Sequence, residues 1–236
     1  MSRLILLFTV LSLLFLVLLV FFRSPFPPYP LISWQDVLDM LTPVALIPTY
    51  WAMYRRATAR GTGDAADLAF MAFAALWLLG HGMHLSANSI HNLVDADTRR
   101  HTLDIAGTGL YRLIYFYDEH LSHPLWYAGM LALASLLVVR KARVPADRAT
   151  AGRVTVAAGV VYGFTLFCTF VEGQTVYLGL PFAALATAYT LRARRTLARR
   201  PLAAFFGVAF LVALLLFAGW GLYWRGFPQF TDVGLI

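Results

Sequence analysis

One cysteine, one lysine and two glutamates occur among the 236 residues, and charged residues of every kind make up only 13%. Each scarcity excludes something. The lone Cys168 has no partner for an internal disulfide and cannot belong to a cysteine metal cluster, so it carries no information on redox compartment. Within an apolar segment it reads as helix packing. The single lysine, Lys141, lies in a basic stretch between apolar runs, which rules out retinal bound there as a Schiff base. Sparse charge, 60% hydrophobic residues and a mean hydropathy of +0.68 exclude a soluble domain of this size. The sequence shows no internal repeat, low-complexity tract or separate soluble domain.

What the chain has instead is length in its apolar runs. Seven segments reach the ~20 residues that a hydrocarbon core about 30 Å thick requires. They are 3–22, 35–54, 67–92, 108–139, 154–172, 174–191 and 202–224. Continuous apolar blocks predict helices, because barrel strands would alternate over about ten residues. The expected fold is an all-α integral membrane protein, residues 1–236 forming a single bundle of seven transmembrane helices. The first segment has the arginine and apolar core of a signal peptide, but "VFFRSPFPPYP" lacks a small-residue cleavage pattern, so it reads as a helix.

A net charge of +7 invites a nucleic-acid partner, but the positions of the basic residues argue otherwise. Arg3, then Arg55, Arg56 and Arg60, then Arg140, Lys141, Arg143, Arg148 and Arg153, and finally Arg192, Arg194, Arg195, Arg199 and Arg200 fall on one side of the seven spans. The positive-inside rule makes that side cytoplasmic, with the N-terminus inside and the C-terminus outside. A multi-pass protein of a bacterial inner membrane is expected, without a nucleic-acid partner. The oligomeric state is left open.

Against this background one stretch stands out, "GHGMHLSANSIHN" (residues 80–92), which closes an apolar run with histidines and asparagines. All six histidines, His81, His84, His91, His101, His120 and His123, fall within 43 consecutive residues. Counting from the inner surface, His84 is seventeen residues beyond Asp67, His123 seventeen from Arg140, Glu172 nineteen from Arg153 and Asp39 sixteen from Arg55. At ~1.5 Å per residue all lie roughly 24–29 Å up, in the outer leaflet. At about 100° per residue, His81, His84, Asn88, His91 and Asn92 share one stripe. Glu119 and His123 share another, with Asp118 and Ser122 beside them. Ionisable groups in hydrocarbon are disfavoured by roughly 2.5–3.5 kcal/mol each and turn inward to partners, so a polar pocket near the outer surface is predicted. Pro124 should bend its helix by leaving the carbonyl of His120 without a donor, and Pro43 and Pro48 should act similarly on the second segment.

The spacings "HGMH" and "EHLSH" resemble the Glu and His pairs by which helical bundles hold metals, and neutral imidazole with carboxylate suits a divalent ion such as zinc or iron. His84, Glu119 and His123 are the expected ligands, with His81 and Glu172 next. Asp118 or Glu172 would serve as general base toward an activated water, with Tyr115 as a hydrogen-bond or proton donor. Asn88 and Ser122 suit orienting roles, and His91 and Asn92 the pocket mouth. His101 is placed in a loop, and His120 points about 100° away from Glu119. The simplest alternative is that these groups bond one another and only fix helix packing. A pocket open to the outer leaflet points to a membrane lipid or other amphiphile as substrate, and to a metal-dependent hydrolase. A proton- or ion-coupled transporter, a b-type haem protein and a diiron oxidase are the competing readings.

Seven helices around an intramembrane His and carboxylate cluster resemble the superfamily of alkaline ceramidases and adiponectin-type receptors, which are zinc-dependent lipid amidases or their relatives. The resemblance implies a histidine pair on the last helix. Here "LAAFFGVAFLVALLLFAGWGLYW" has none, so no residue role is carried over. Membrane desaturases and hydroxylases, with about eight histidines in cytoplasmic boxes, are less similar.

Overall fold

The computed structural model describes residues 1–57, 64–99, 107–143, 152–193 and 200–236. Arg60, His101, Arg148, Arg194, Arg195 and Arg199 lie outside them. Among the described residues the regular elements are α1 (Ser2–Leu16), α2 (Trp34–Asp39), α3 (Thr42–Ala57), α4 (Asp64–Arg99), α5 (Gly109–Tyr115), α6 (His123–Arg143), α7 (Arg153–Glu172), α8 (Val176–Arg192) and α9 (Pro201–Trp224). A 3-10 turn, Leu18–Phe21, follows α1, and a π-helical turn, Phe116–Ser122, joins α5 to α6. Among the described residues, four stretches are long and apolar enough to cross a membrane: Ala65–Val94, Gly109–Val139, Arg153–Glu172 and Pro201–Trp224.

Two of the expected spans are interrupted. The first leaves α-helical geometry at Val17, whose φ is −130°, and tightens into the 3-10 turn, after which the chain turns back on itself: Gln35 N donates to Phe22 O and Trp34 N to Ser24 O, and Pro25 pairs with Ser33. The second span divides into α2 and α3 at Met40–Leu41. Ser33 starts α2 with a reciprocal capping box to Asp36, and Thr42 starts α3 with its hydroxyl on Asp39 Oδ1 at 2.6 Å. Pro43 follows at the one part of a helix where a missing N–H does no harm.

Two close helix pairs organise the rest. Gly159 and Gly163, one turn apart on α7, face the backbone of α9, where a Cβ at Gly159 would lie 2.8 Å from Phe205 O and one at Gly163 2.5 Å from Ala209 O. Small residues at this spacing let backbones approach when lipid supplies no hydrophobic drive for association. Gly80 on α4 and Gly129 on α6 do the same for the other pair, with virtual Cβ atoms 2.6 Å from Ser122 O and 2.8 Å from Phe73 O respectively. Between the pairs lies an aromatic core in which Phe8 of α1 meets Tyr50, Tyr162 and Phe205, with Tyr50 also edge-on to Trp77.

The Tyr50 and Tyr162 hydroxyls meet there at 3.0 Å with both side chains fully buried. Replacing either by phenylalanine strands the other hydroxyl and should destabilise by about 1–3 kcal/mol, whereas the double replacement should be milder than the sum. Reversible unfolding in detergent micelles reads this cycle. Strictly additive losses would mean the hydroxyls do not support each other.

Candidate metal centre

The site begins with the break between α2 and α3. In a continuous helix the amide of residue 43 would donate to the carbonyl of residue 39. Proline has no amide hydrogen, so Asp39 O is left as an acceptor. His81 of α4 takes it, with Nε2 at 3.0 Å, and also lies 3.6 Å from Asp39 Oδ1. Because a carbonyl only accepts, His81 Nε2 carries the hydrogen and Nδ1 is a bare lone pair in the neutral ring. That Nδ1 is buried without a hydrogen-bond partner among the described residues, and the ring stands edge-on to Trp126 at 4.4 Å. Ser89 Oγ donates to Asp36 Oδ1 at 3.2 Å and fastens α2 to α4 a second time.

Opposite α4 stands the π-helical turn. Pro124 offers no hydrogen to the carbonyl of His120, and the expected bend takes the form of a widened turn from Phe116 to Ser122. In an α-helix Asp118 and His123 would point about 140° apart. In a π-turn residues five apart stand over one another, so Asp118, Glu119 and His123 all come to the face turned toward α4. Ser122 is buried behind them and its hydroxyl donates to the carbonyl of Asp118.

The close approach at Gly80 and Gly129 brings the two faces together. The Asp118 carboxylate, with no solvent exposure, accepts from His84 Nδ1 on Oδ1 and from His91 Nδ1 on Oδ2, both at 2.9 Å. His84 and His91 are seven residues apart on α4, two turns or roughly 10.5 Å along the axis, and Asp118 fills the gap between them. His91 Nε2 reaches Tyr111 Oη at 3.2 Å. The rings of His84 and His123 lie 4.6 Å apart. His123 Nδ1 and Glu119 Oε2 face each other at 3.3 Å without the alignment of a hydrogen bond, and both atoms are buried without any other partner among the described residues.

These groups can hold a metal. His84, Asp118 and His123 offer three donor atoms within 4.8 Å of one another, and His91, Asp118 and Glu119 offer a second such set. Donors bound at about 2.0–2.2 Å to one ion stand roughly 3 Å apart, close to the 2.9 and 3.3 Å seen here between imidazole and carboxylate. The stranded His123 Nδ1 fits the same group: an unpaired buried polar atom is disfavoured by about 1–3 kcal/mol, and an ion bound there removes that penalty.

The cluster opens into a cavity of about 1120 Å³. Its lining is mixed: Asp36, Asp39, His84, Asn88, His91, Asn92, Glu119 and His123 share it with the apolar side chains of Phe15, Leu19, Phe164, Phe167, Leu235 and Ile236, and Arg23, Thr169, Glu172, Gln229 and Thr231 also reach it.

Several residues singled out in the sequence stand elsewhere than anticipated. His91, placed at the mouth, is drawn in by Asp118. Glu172 lines the cavity, but its carboxylate is engaged by the C-terminal segment, accepting from Phe230 N at 2.9 Å and Thr231 Oγ1 at 3.1 Å. Tyr115 meets the rings of His91 and Tyr111 at the site and of His120 outside it, and lines a separate cleft of about 530 Å³ with Gln174 and Asp232. Asn88 accepts from Asn92 at 3.1 Å on the cavity wall. His120 is exposed against Tyr115 and Phe116. Asp39, which the residue count puts at the depth of the cluster, has no role in the sequence reading, and Tyr111 reads there as part of an aromatic belt; the signal for Asp39 is the proline four positions on.

An imidazole binds a metal through a bare nitrogen, so a ring that coordinates through the Nδ1 facing Asp118 moves that hydrogen to Nε2, and a charged ring must first lose a proton. Zinc affinity of the apo protein should therefore fall as pH is lowered, measured by competition against a chelating indicator and corrected for the indicator's own protonation. An affinity that does not change with pH would mean that the ion binds elsewhere.

No protein-family model, curated protein or solved structure matches this chain.

Proposed function

We propose that the chain is a metal-dependent membrane enzyme that hydrolyses a lipid or other amphiphile beneath the outer face of the bilayer. The observation that carries this reading is the mixed cavity, in which a buried His and carboxylate cluster shares one space with apolar side chains of α1, α7 and the C-terminal segment. A head group reaches the donors while an acyl or isoprenoid tail lies along Phe15, Phe164 and Phe167. Seven membrane crossings with a cytoplasmic N-terminus and an outer C-terminus, in a bacterial inner membrane, complete the proposal. It is supported by Arg55 and Arg56 at the end of α3, Arg153 at the start of α7 and Arg192 at the end of α8, all at the ends away from the site.

His84, Asp118 and His123 would hold an ion, zinc or iron, which when bound would supply Lewis acidity toward a scissile carbonyl or phosphoryl group and lower the pKa of water. Glu119 stands beside them with a carboxylate oxygen that no hydrogen bond occupies, and it accepts the proton of the attacking water. His81, fixed by the Asp39 carbonyl, supports His84 from below. Asn88 and Asn92 supply hydrogen bonds to the head group. Glu172 keeps the C-terminal segment in place as part of the cavity lining.

The test is hydrolysis itself. Wild-type protein in nanodiscs, loaded with zinc or with ferrous iron and given a total bacterial lipid extract, should release two fragments whose masses together equal one lipid plus one water, detected by mass spectrometry. His123→Ala and Glu119→Gln should lower that release by about 100-fold or more, the scale of losing a general base or its support. An unaltered extract under both metals would overturn the hydrolase assignment, and metal-independent proton flux in liposomes would replace it with transport.

A further inference from the structure

The two donor sets have one residue in common, and it is the residue at the centre. Asp118 turns Oδ1 to His84 and Oδ2 to His91, each at 2.9 Å. His123 completes the first set and Glu119 the second. A carboxylate with its two oxygens committed to two separate histidines is the arrangement that bridges a pair of ions, and two-metal sites hold their ions about 3.5–4 Å apart. We propose that this centre binds two divalent metal ions bridged by Asp118, one held with His84 and His123 and the other with His91 and Glu119.

Three further observations support the second position. Glu119 stands between the sets: its Oε2 lies 3.3 Å from His123 Nδ1, and it also belongs to the group around His91. It is therefore placed to touch either ion. His91 is oriented from behind by the Tyr111 hydroxyl, 3.2 Å from Nε2, which is the support that metal-bound imidazoles characteristically receive on their other nitrogen. The widened turn from Phe116 to Ser122 brings the consecutive residues Asp118 and Glu119 onto one face, which a regular α-helix could not do for both together with His123. Charge balance agrees: two carboxylates offset two of the four positive charges, and the three imidazoles enter neutral. An anionic head group, phosphate or carboxylate, would offset more, so this inference also names the substrate class as an anionic amphiphile.

The inference rests on the metal reading given above, and the experiment separates the two. Metal-free wild-type protein in detergent is titrated with cobalt(II), read by d–d absorption and by elemental analysis after gel filtration. The expected stoichiometry is two per chain, and the manganese(II)-loaded protein should give the electron paramagnetic resonance signal of a coupled pair. His91→Ala and, as a milder variant, His91→Asn should bind one cobalt with the coupling lost, while unfolding temperature confirms that each variant is folded. A stoichiometry of one in the wild type, unchanged in both His91 variants, would overturn the pair and leave a single-ion centre. No cobalt at all would overturn the metal reading together with it.

Discussion

Asp118→Asn should weaken metal binding by about 100-fold or more, measured by competition against a chelating indicator. The substitution preserves shape and volume. What it removes is the charge and one of two acceptors, so that the amide NH₂ must face an imidazole that the carboxylate oxygen faced before. Either His84 or His91 then loses its partner inside a fully buried site. Breaking one side of a buried charged contact typically destabilises by about 3–5 kcal/mol, so the metal-free variant should also unfold at lower temperature. Unchanged metal affinity with lowered stability would make Asp118 a clamp between helices and nothing more.

Gly80→Leu should abolish both the α4 and α6 contact and the metal centre. A Cβ at this position already lies 2.6 Å from the Ser122 carbonyl oxygen, and the obstacle is backbone, which no rotamer relieves. Separating the helices moves His84, one turn beyond Gly80, away from Asp118 and His123. A loss of about 3 kcal/mol or more is expected, the upper range for forced overpacking. Gly82 provides the control. It lies two residues away on the same helix with nothing within 4 Å of its virtual Cβ, so Gly82→Ala should be neutral or stabilising by up to about 1 kcal/mol. Thermal unfolding and metal content of the pair test whether close approach, rather than glycine as such, builds the site. Equal effects at both positions would contradict it.

The pattern of residues made much of this site legible. His81, His84 and His91 could be placed on one stripe of one helix and Glu119 with His123 on another, and His84 and His123 at similar depth by counting turns. Pro124 marked where the second helix would depart from regularity. The form of that departure was not legible. Rotation by 100° per residue assumes an α-helix, and under it Asp118 points away from His123; only the wider turn makes Asp118 central and lets it reach two histidines. The role of Glu172 was misleading for a different reason. Its depth suits the cluster, but a partner more than fifty residues distant, the segment at Phe230 and Thr231, takes its carboxylate, and helix periodicity carries no record of such a contact. The division of 35–54 has a local cause visible in the sequence, Ser33 with Asp36 and Thr42 with Pro43, that hydropathy alone overrides.

The measurement that bears most directly on the account is elemental analysis of the chain purified without metal-affinity chromatography, compared with His84→Ala and His123→Ala. The account predicts at least one equivalent of zinc or iron per wild-type chain, a several-fold lower content in both variants, and no change in His101→Ala. A wild-type chain that stays free of transition metal after incubation with zinc and with ferrous iron, or variants that retain the full content, would show that the histidines and carboxylates gathered here serve only one another.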